Sequence, residues 1–352
     1  MKAWVLHDIG NITLDDVPVP KPERGQVLVK VKAAGICGSD IPRIYSTGAH
    51  KMPLIPGHEF AGEVIGLGEG VGNKWLGKRV GVFPLIPCKR CTSCNNRIYE
   101  MCRNYNYLGS RCNGGFAEYA AVPEWNLIDL GGNVKYEEAA MLEPMSVAVH
   151  AIRRVNPVPG DRVLVLGQGT IGELIVMFLI EMGIENIFVV GNKELQRDNM
   201  IKLGISKENY CDSRTQNTCQ WIHDMTDGQG VDVAFECVGS NKTIAQSVDC
   251  AAPAGRVCVV GNPCGEMTFE RNTYWKILRN QLIITGTWNS SFYGESDLDN
   301  IKDDWHYALS RLKHTKINPS VFITHLLSIN ELEHGLIIMR DKTEDYVKIM
   351  VH

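Results

Sequence analysis

Cys88, Cys91, Cys94 and Cys102 stand at C-x2-C-x2-C-x7-C spacing within PCKRCTSCNNRIYEMC. Four thiolates inside fifteen residues can close a tetrahedral shell around one zinc ion, because two-residue gaps let neighbouring sulfurs converge on a point. Disulfides are the competing outcome, yet a chain of 352 residues builds its own core and does not need staples. A lobe of about residues 85–105 holding a structural zinc is the expectation. A second ligand set is scattered: Cys37 in AGICGSD, His58 in PGHEF and Glu143 in MLEPMSVAVH. One thiolate, one imidazole and one carboxylate supply three protein ligands and leave a fourth position for water or substrate, as a catalytic zinc requires. Taken singly, each has a bland alternative. A buried cysteine commonly fills apolar space, a lone histidine is commonly a satisfied core residue, and Glu143 could cap the helix it opens. Glu59 competes with Glu143, either as a ligand or as a carboxylate that orients the site from behind.

A nucleotide site is written further along. Gly167, Gly169 and Gly172 form G-x-G-x-x-G in VLVLGQGTIG, with Thr170 and Ile171 between the last two, after a strand and at the start of a helix. The first glycine allows the tight turn, the second admits a pyrophosphate, and the third lets the helix pack on the sheet. An NAD-binding unit usually places Asp or Glu at the end of its second strand to accept from the ribose hydroxyls. This chain has Gly191, Asn192 and Lys193 there, in IFVVGNKELQR. No carboxylate repels a 2′-phosphate, and Lys193 and Arg197 can pair with one. The Tyr210 ring is a candidate to stack near the adenine. NADP is therefore favoured, with NAD the alternative if Asn192 merely caps the following helix.

The elements that must position these groups differ between the two parts of the chain. QVLVKVKAA, AGEVIGLGEGV and KRVGVFPLI read as short strands, and EEAAMLEPMSVAVHAI has helical spacing. From Gly160 strands alternate with helices: DRVLVLG, TIGELIVMFLIEMG, NIFVVG, ELQRDNMIKLG, VDVAFECVG and GRVCVVGNP. That alternation predicts a parallel doubly wound sheet. A helix over Asp304–Lys313 and a terminal strand YVKIMVH follow. The fold class is α/β: a β-rich domain built from both chain ends, with a dinucleotide domain inserted between them.

Length favours two domains, and 44% hydrophobic with 22% charged residues is ordinary globular composition. A net charge of −4 gives no electrostatic case for nucleic acid, and a zinc-ribbon reading of the lobe finds only Lys89, Arg90, Arg97 and Arg103 beside it. Met1 leads straight into KAWVLHDIG without a basic region and apolar core, so a cytoplasmic location is expected. IGELIVMFLIEMG carries two glutamates and is too short to span a bilayer, so no membrane partner is expected.

In their order, GICGSD, GHEFAGEV, the four-cysteine lobe, GGFAEY, LEP and GQGTIG resemble the zinc-dependent medium-chain dehydrogenase/reductase family over essentially the whole chain. The Cys-Gly-Ser-Asp and Leu-Glu-Pro forms are similar to its polyol branch, whereas alcohol dehydrogenases usually have cysteine where Glu143 stands. PRIYSTGAH, PLIPC, YNYLGSR and ITGTWNSSF resemble the galactitol-1-phosphate 5-dehydrogenase group. The resemblance implies a GroES-like catalytic domain over 1–148 and 288–352 and a Rossmann domain over 149–287. It implies two zinc ions per chain, with Cys37, His58 and Glu143 as catalytic ligands, Glu59 the conditional one, and the four-cysteine lobe structural. Ser39 matches the hydroxyl that starts a proton relay, and Lys348 a basic residue that contacts the cofactor. The implied reaction is reversible oxidation of a secondary alcohol of a polyol phosphate to a ketose phosphate, with hydride passing to NAD(P). Arg43, His50 and Lys51 are the cationic candidates for the substrate phosphate, and Trp288 and Asn289 for lining the same cleft. Gly191 departs from the family's ribose-binding acid.

Two rivals stand beside this. One is a dehydrogenase of free polyols, of the sorbitol, L-iditol or xylitol type. The other is a non-catalytic NADP-binding sensor or structural protein, which would lack the open metal set. The apolar strand LIITGT is expected to pair across a two-fold axis, giving a homodimer or homotetramer.

Overall fold

The computed structural model describes residues 1–294 and 303–352. They fall into two compact units, Met1–Ser146 with Ser290–His352, and Val147–Asn289.

In the second unit the apolar runs RVLVL and NIFVVG form neighbouring parallel strands, Arg162–Leu166 and Asn186–Gly191, each almost wholly buried. Burial on both faces is what a parallel sheet sandwiched between helices requires of its strands. The six-stranded order runs Tyr210–Asp212, Asn186–Gly191, Arg162–Leu166, Val231–Glu236, Ala251–Val259, Ile283–Gly286. Numbered along the chain this is 3-2-1-4-5-6, the Rossmann order, whose direction reverses between Arg162–Leu166 and Val231–Glu236. A ligand crevice belongs at the carboxyl ends of those two strands, where the glycine motif begins.

In the first unit one long strand, Gln26–Ile36, is the hub. It pairs antiparallel with Glu59–Leu67, Tyr119–Pro123 and Lys348–Val351. Its inward residues, with Phe60, Val64, Phe116 and Val122, make the core of this unit. The stretch EEAAMLEPMSVAVHAI forms two helices, Tyr136–Ala140 and Leu142–Val155. Pro144 explains the break: its ring collides with the carbonyl four residues earlier and its nitrogen cannot donate to it, so the first helix ends at Ala140. Pro144 is tolerated in the first turn of the second helix, which puts Glu143 at that helix's start. KRVGVFPLI similarly splits at Pro84 into Arg79–Val82 and Leu85–Ile86.

Candidate active site

Three neighbouring strands bring distant residues together. Glu59 opens its strand opposite Gly35, Ile349 stands opposite Ile36, and Cys37 follows the hub strand directly. The Glu59 and Lys348 side chains meet over Gly35. A Cβ at Gly35 would collide with Glu59 Oε2 and come within 2.7 Å of Lys348 Cε, so this close approach requires glycine. Lys348, 2% exposed, donates to Glu59 and to the Ile36 carbonyl at 3.1 Å.

Ligand atoms of Cys37, His58 and Glu59 lie within 4.8 Å of one another, and His58 and Glu59 are both buried. Asp40, wholly buried, ties this group to its surroundings. It accepts the Cys37 amide at 3.0 Å, takes Arg43, and lies 3.5 Å from His58 Nδ1. Burial disfavours a charged His58, but Asp40 and then Cys37 outweigh it and hold the imidazole well above its ordinary value. The converse applies to Asp40: burial would raise it, and His58 and Arg43 hold it down. Ser39 donates its hydroxyl to Cys37 Sγ at 3.4 Å.

Glu143 stands beside this trio but outside its convergence. Its Oε1 accepts from Tyr107 Oη at 3.3 Å. Withdrawal from water pushes the Glu143 carboxyl up to about 7; the Glu59 charge adds to the shift, while His58 and Lys348 oppose it. The carboxylate that converges with Cys37 and His58 is thus Glu59, while Glu143 lies one step away. A partly exposed thiol, a buried imidazole and two carboxylates in one place fit a zinc ion, whose charge would relieve the gathered anions.

The cysteine lobe fits a closed zinc site. Cys91 Sγ lies 3.6 Å from Cys94 Sγ and 3.9 Å from Cys102 Sγ, and Cys88 Sγ is 4.0 Å from Cys94 Sγ. A tetrahedron with Zn–S bonds of about 2.3 Å has edges of about 3.8 Å. All four cysteines are free thiols. Backbone amides of Cys94 and Arg103 pull the Cys91 thiol down to about 6, toward the thiolate that zinc needs.

The other expected site residues separate. Arg43 pairs with buried Asp40, three residues earlier on the helix Asp40–Tyr45. His50 and Lys51 are exposed. Lys348 is locked against Glu59 in the metal-ligand cluster. In the second unit Trp288 is exposed, and Asn289 adopts φ +53°.

At the nucleotide motif Gly167 has φ +94° and Gly169 caps the helix Thr170–Glu181, where Thr170 and Ile171 form the first turn. A Cβ on Gly172 would strike the Gly167 carbonyl, so helix and turn can meet only at glycine. Backbone this close beneath a helix N-terminus is a cradle for a pyrophosphate. Gly191 is crowded by side chains: a Cβ there would collide with Tyr210 Oη and sit 3.0 Å from Gln196 Oε1. Tyr210 is buried and donates to the Lys193 carbonyl at 3.2 Å, so its ring is packed under the loop instead of facing an adenine. Asn192 and Arg197 are exposed and Lys193 is half-exposed. Arg214, which motif reasoning passed over, forks onto Asp212 (Nη2–Oδ2 2.6 Å), the strand partner of Gly191. Asp40 and Tyr107 were also missed; the Asp of GICGSD was the available signal.

Residues 23–132 match the alcohol dehydrogenase GroES-like domain, and residues 170–312 the zinc-binding dehydrogenase domain. L-idonate 5-dehydrogenase of Vitis vinifera is 32% identical over 94% of this chain and 88% of its own. The chain belongs to the zinc-dependent medium-chain dehydrogenases. It is an oxidoreductase of the alcohol and polyol dehydrogenase class. Galactitol 1-phosphate 5-dehydrogenase of Escherichia coli K12 is 29% identical over 92% of both chains. A crystal structure of galactitol-1-phosphate dehydrogenase from Escherichia coli superposes with a TM-score of 0.90, at 26% identity, over 100% of this chain and 99% of that one. A Sinorhizobium meliloti chain described as a zinc-binding dehydrogenase, bound to NADP, gives 0.89 at 26% identity over 99% and 98%. Among the described residues no helix is long and apolar enough to cross a membrane.

Proposed function

We propose that this dehydrogenase reversibly oxidises a secondary alcohol of a polyol phosphate, of the galactitol 1-phosphate type, to the ketose phosphate. The observation that carries the chemistry is the convergence of Cys37 with buried His58 and Glu59, with Glu143 beside it. Zinc held there would supply Lewis acidity toward an alcohol oxygen, and the nicotinamide an acceptor for hydride. The protein's own work is to hold and to move protons. Asp40 fixes the Cys37 backbone and the imidazole together. Ser39, with its hydroxyl 3.4 Å from Cys37 Sγ, would take a proton from an alcohol seated there. Glu59, paired with Lys348, and Glu143 within the same charge cluster are the carboxylates that would hold the metal beside Cys37 and His58.

The phosphate rests on the likeness to the galactitol 1-phosphate enzyme over 92% of the chain. A free polyol or sugar acid is the second reading, favoured by one specific observation: Arg43 is spent on Asp40, leaving His50 and Lys51 as the cations of that segment. Initial rates of cofactor reduction with galactitol 1-phosphate and with sorbitol test this. A large preference for the phosphate ester supports the first reading, and preference for sorbitol replaces it with the second.

The favoured cofactor is NADP. The ribose acid is absent, and Tyr210 with Gln196 fills the space in which one would stand. Lys193 and Arg197 lie nearby as partners for a 2′-phosphate, while Arg214 is paired with Asp212. Comparing KM for NADP and NAD decides it; a large NAD preference overturns it. A two-fold pairing of the edge strand Ile283–Gly286 is supported by Ile283 and Ile284, which are 59% and 37% exposed at the end of the sheet. Ile283→Lys should then shift the sedimenting species toward monomer.

A further inference from the structure

Two cysteines of the second unit, members of neither metal-ligand cluster, face one another. Cys219 lies in the first turn of the helix Thr218–Met225, and Cys250 directly follows the helix Asn241–Asp249. The Cys250 thiol points at Cys219 Sγ across 3.5 Å. Their surroundings differ. Cys250 is 3% exposed within the apolar core of this unit, whereas Cys219 is half-exposed at its margin. Lys276, on the helix Arg271–Arg279, is anchored beside the pair by Asp249, with Nζ 2.9 Å from Oδ1 and 3.3 Å from the Asp249 carbonyl. The Cys219 thiol lies below its ordinary value, chiefly because Cys250 donates to it; burial and Asp249 oppose this, and Lys276 reinforces it. An accessible sulfur near a cation, backed by a buried second sulfur, is the arrangement in which thiols oxidise selectively.

We propose that Cys219 and Cys250 form a redox-active dithiol, with Cys219 the sulfur attacked by peroxide and Cys250 the resolving partner. The Cys219 thiolate attacks one oxygen of hydrogen peroxide and the O–O bond breaks. This leaves a sulfenic acid on Cys219 and a hydroxide that takes up a proton to become water. The Cys250 sulfur then attacks the sulfenic sulfur. An S–S bond forms, the S–O bond breaks, and the departing hydroxide leaves as water with the Cys250 thiol proton. Two thiols lose two electrons in all, and one peroxide is reduced to two waters. From 3.5 Å the sulfurs need close by only about 1.5 Å to reach bonding distance. The bond would tie the helix Thr218–Met225 to the start of the strand Ala251–Val259, enclosing Val231–Glu236 in a covalent loop. Such a loop should raise the thermal midpoint of the oxidised enzyme.

The test is a hydrogen peroxide titration of the zinc-loaded full-length enzyme, with alkylation, peptide mass mapping and zinc release followed together. The expected product is a Cys219–Cys250 peptide pair about 2 Da lighter than the two thiols, reversed by dithiothreitol. It should appear at roughly tenfold lower peroxide than zinc release from the lobe and than oxidation of exposed Cys264. Cys250→Ser should halt the reaction at a sulfenic acid that dimedone traps on Cys219, and Cys219→Ser should abolish both species. The proposal is overturned if Cys219 and Cys250 stay alkylatable while the lobe or Cys264 oxidises. It is equally overturned if folded Cys250→Ser protein gives no dimedone adduct at Cys219.

Discussion

The two metal-ligand clusters are opposites in how the chain builds them. The cysteine lobe takes four sulfurs from fifteen consecutive residues, uses a single ligand type and keeps Cys88 and Cys91 half-exposed. The other cluster draws Cys37, His58 and Glu59 from the facing ends of two strands and Lys348 from a third, and is ringed by Asp40, Arg43, Tyr107 and Glu143. The lobe has little apolar core: Ile98 and Met101 are exposed, its helical pieces are the short Thr92–Asn95 and Tyr99–Met101, and Tyr99, Lys89 and Arg97 tether it to Trp125 and Tyr293. A metal there would replace a hydrophobic core. The buried cluster sits on a sheet that the core of its unit already stabilises, so its groups are free to serve chemistry. Ligands local in sequence build structure, and ligands gathered by the fold build a reactive site.

Substitution should separate these roles most sharply at the ligands. Cys37→Ala or His58→Ala should lower kcat by ~10³-fold or more, equivalent to about 4 kcal/mol at the barrier. The thermal midpoint should stay within a few degrees of the parent, as scanning calorimetry would show. Cys91→Ser should reverse the pattern. It should cost about 3 kcal/mol or more of stability, with activity lost only in proportion to unfolded protein. Near-parental kcat in His58→Ala, or undiminished stability in Cys91→Ser, breaks the contrast. Partial chelation sharpens it: the first zinc removed should abolish turnover and the second should collapse the lobe, read by metal analysis beside circular dichroism.

Asp40 tests whether the gathered site depends on its support. Asp40→Asn keeps the side chain's shape but removes the charge that holds His58 and Arg43. Loss of such a supporting partner should weaken metal affinity and activity by ~10–100-fold. The lobe should keep its metal, so zinc content should fall toward one per chain under mild chelation. Retention of both ions at parental affinity would mean that the imidazole is oriented by something other than Asp40.

The same division governs how much could be read from the sequence. The lobe was legible from spacing alone, because its geometry is local. The Rossmann strands were legible because burial on both faces writes continuous apolar runs, and the glycine motif because Gly172 has no space for a Cβ. The gathered site was legible only in part. Cys37, His58 and Glu59 stood in motifs, but nothing local says that Glu59 meets Lys348 across Gly35, since strand register decides it. Arg43 looked like a free surface cation because helical spacing does not reveal that Asp40 is buried. Tyr210 looked like a stacking ring, and only the fold shows its hydroxyl filling the space beside Gly191.

Glu173 supplies the control that the buried carboxylates of the metal site lack. It is wholly buried in the first turns of the helix Thr170–Glu181, with its oxygens 3.3 and 3.1 Å from Asn199 Nδ2. Glu59 lies against a cation, whereas among the described residues Glu173 has that neutral donor alone. Burial therefore wins and pushes the Glu173 carboxyl up to about 8. Between its unfolded value, near 4.5, and about 8 the folded state keeps a proton that the unfolded chain has lost. The resulting stability is complete below about pH 4.5 and disappears as pH rises through 8, over a span of about 5 kcal/mol. The parent enzyme should thus lose stability between pH 5 and 9 by urea denaturation. Glu173→Gln, which retains an acceptor for Asn199, should flatten that slope and be the more stable protein at pH 9. A variant with the parental slope would show that Glu173 is charged in the folded protein, and that burial without a cation is not enough to neutralise a carboxylate here.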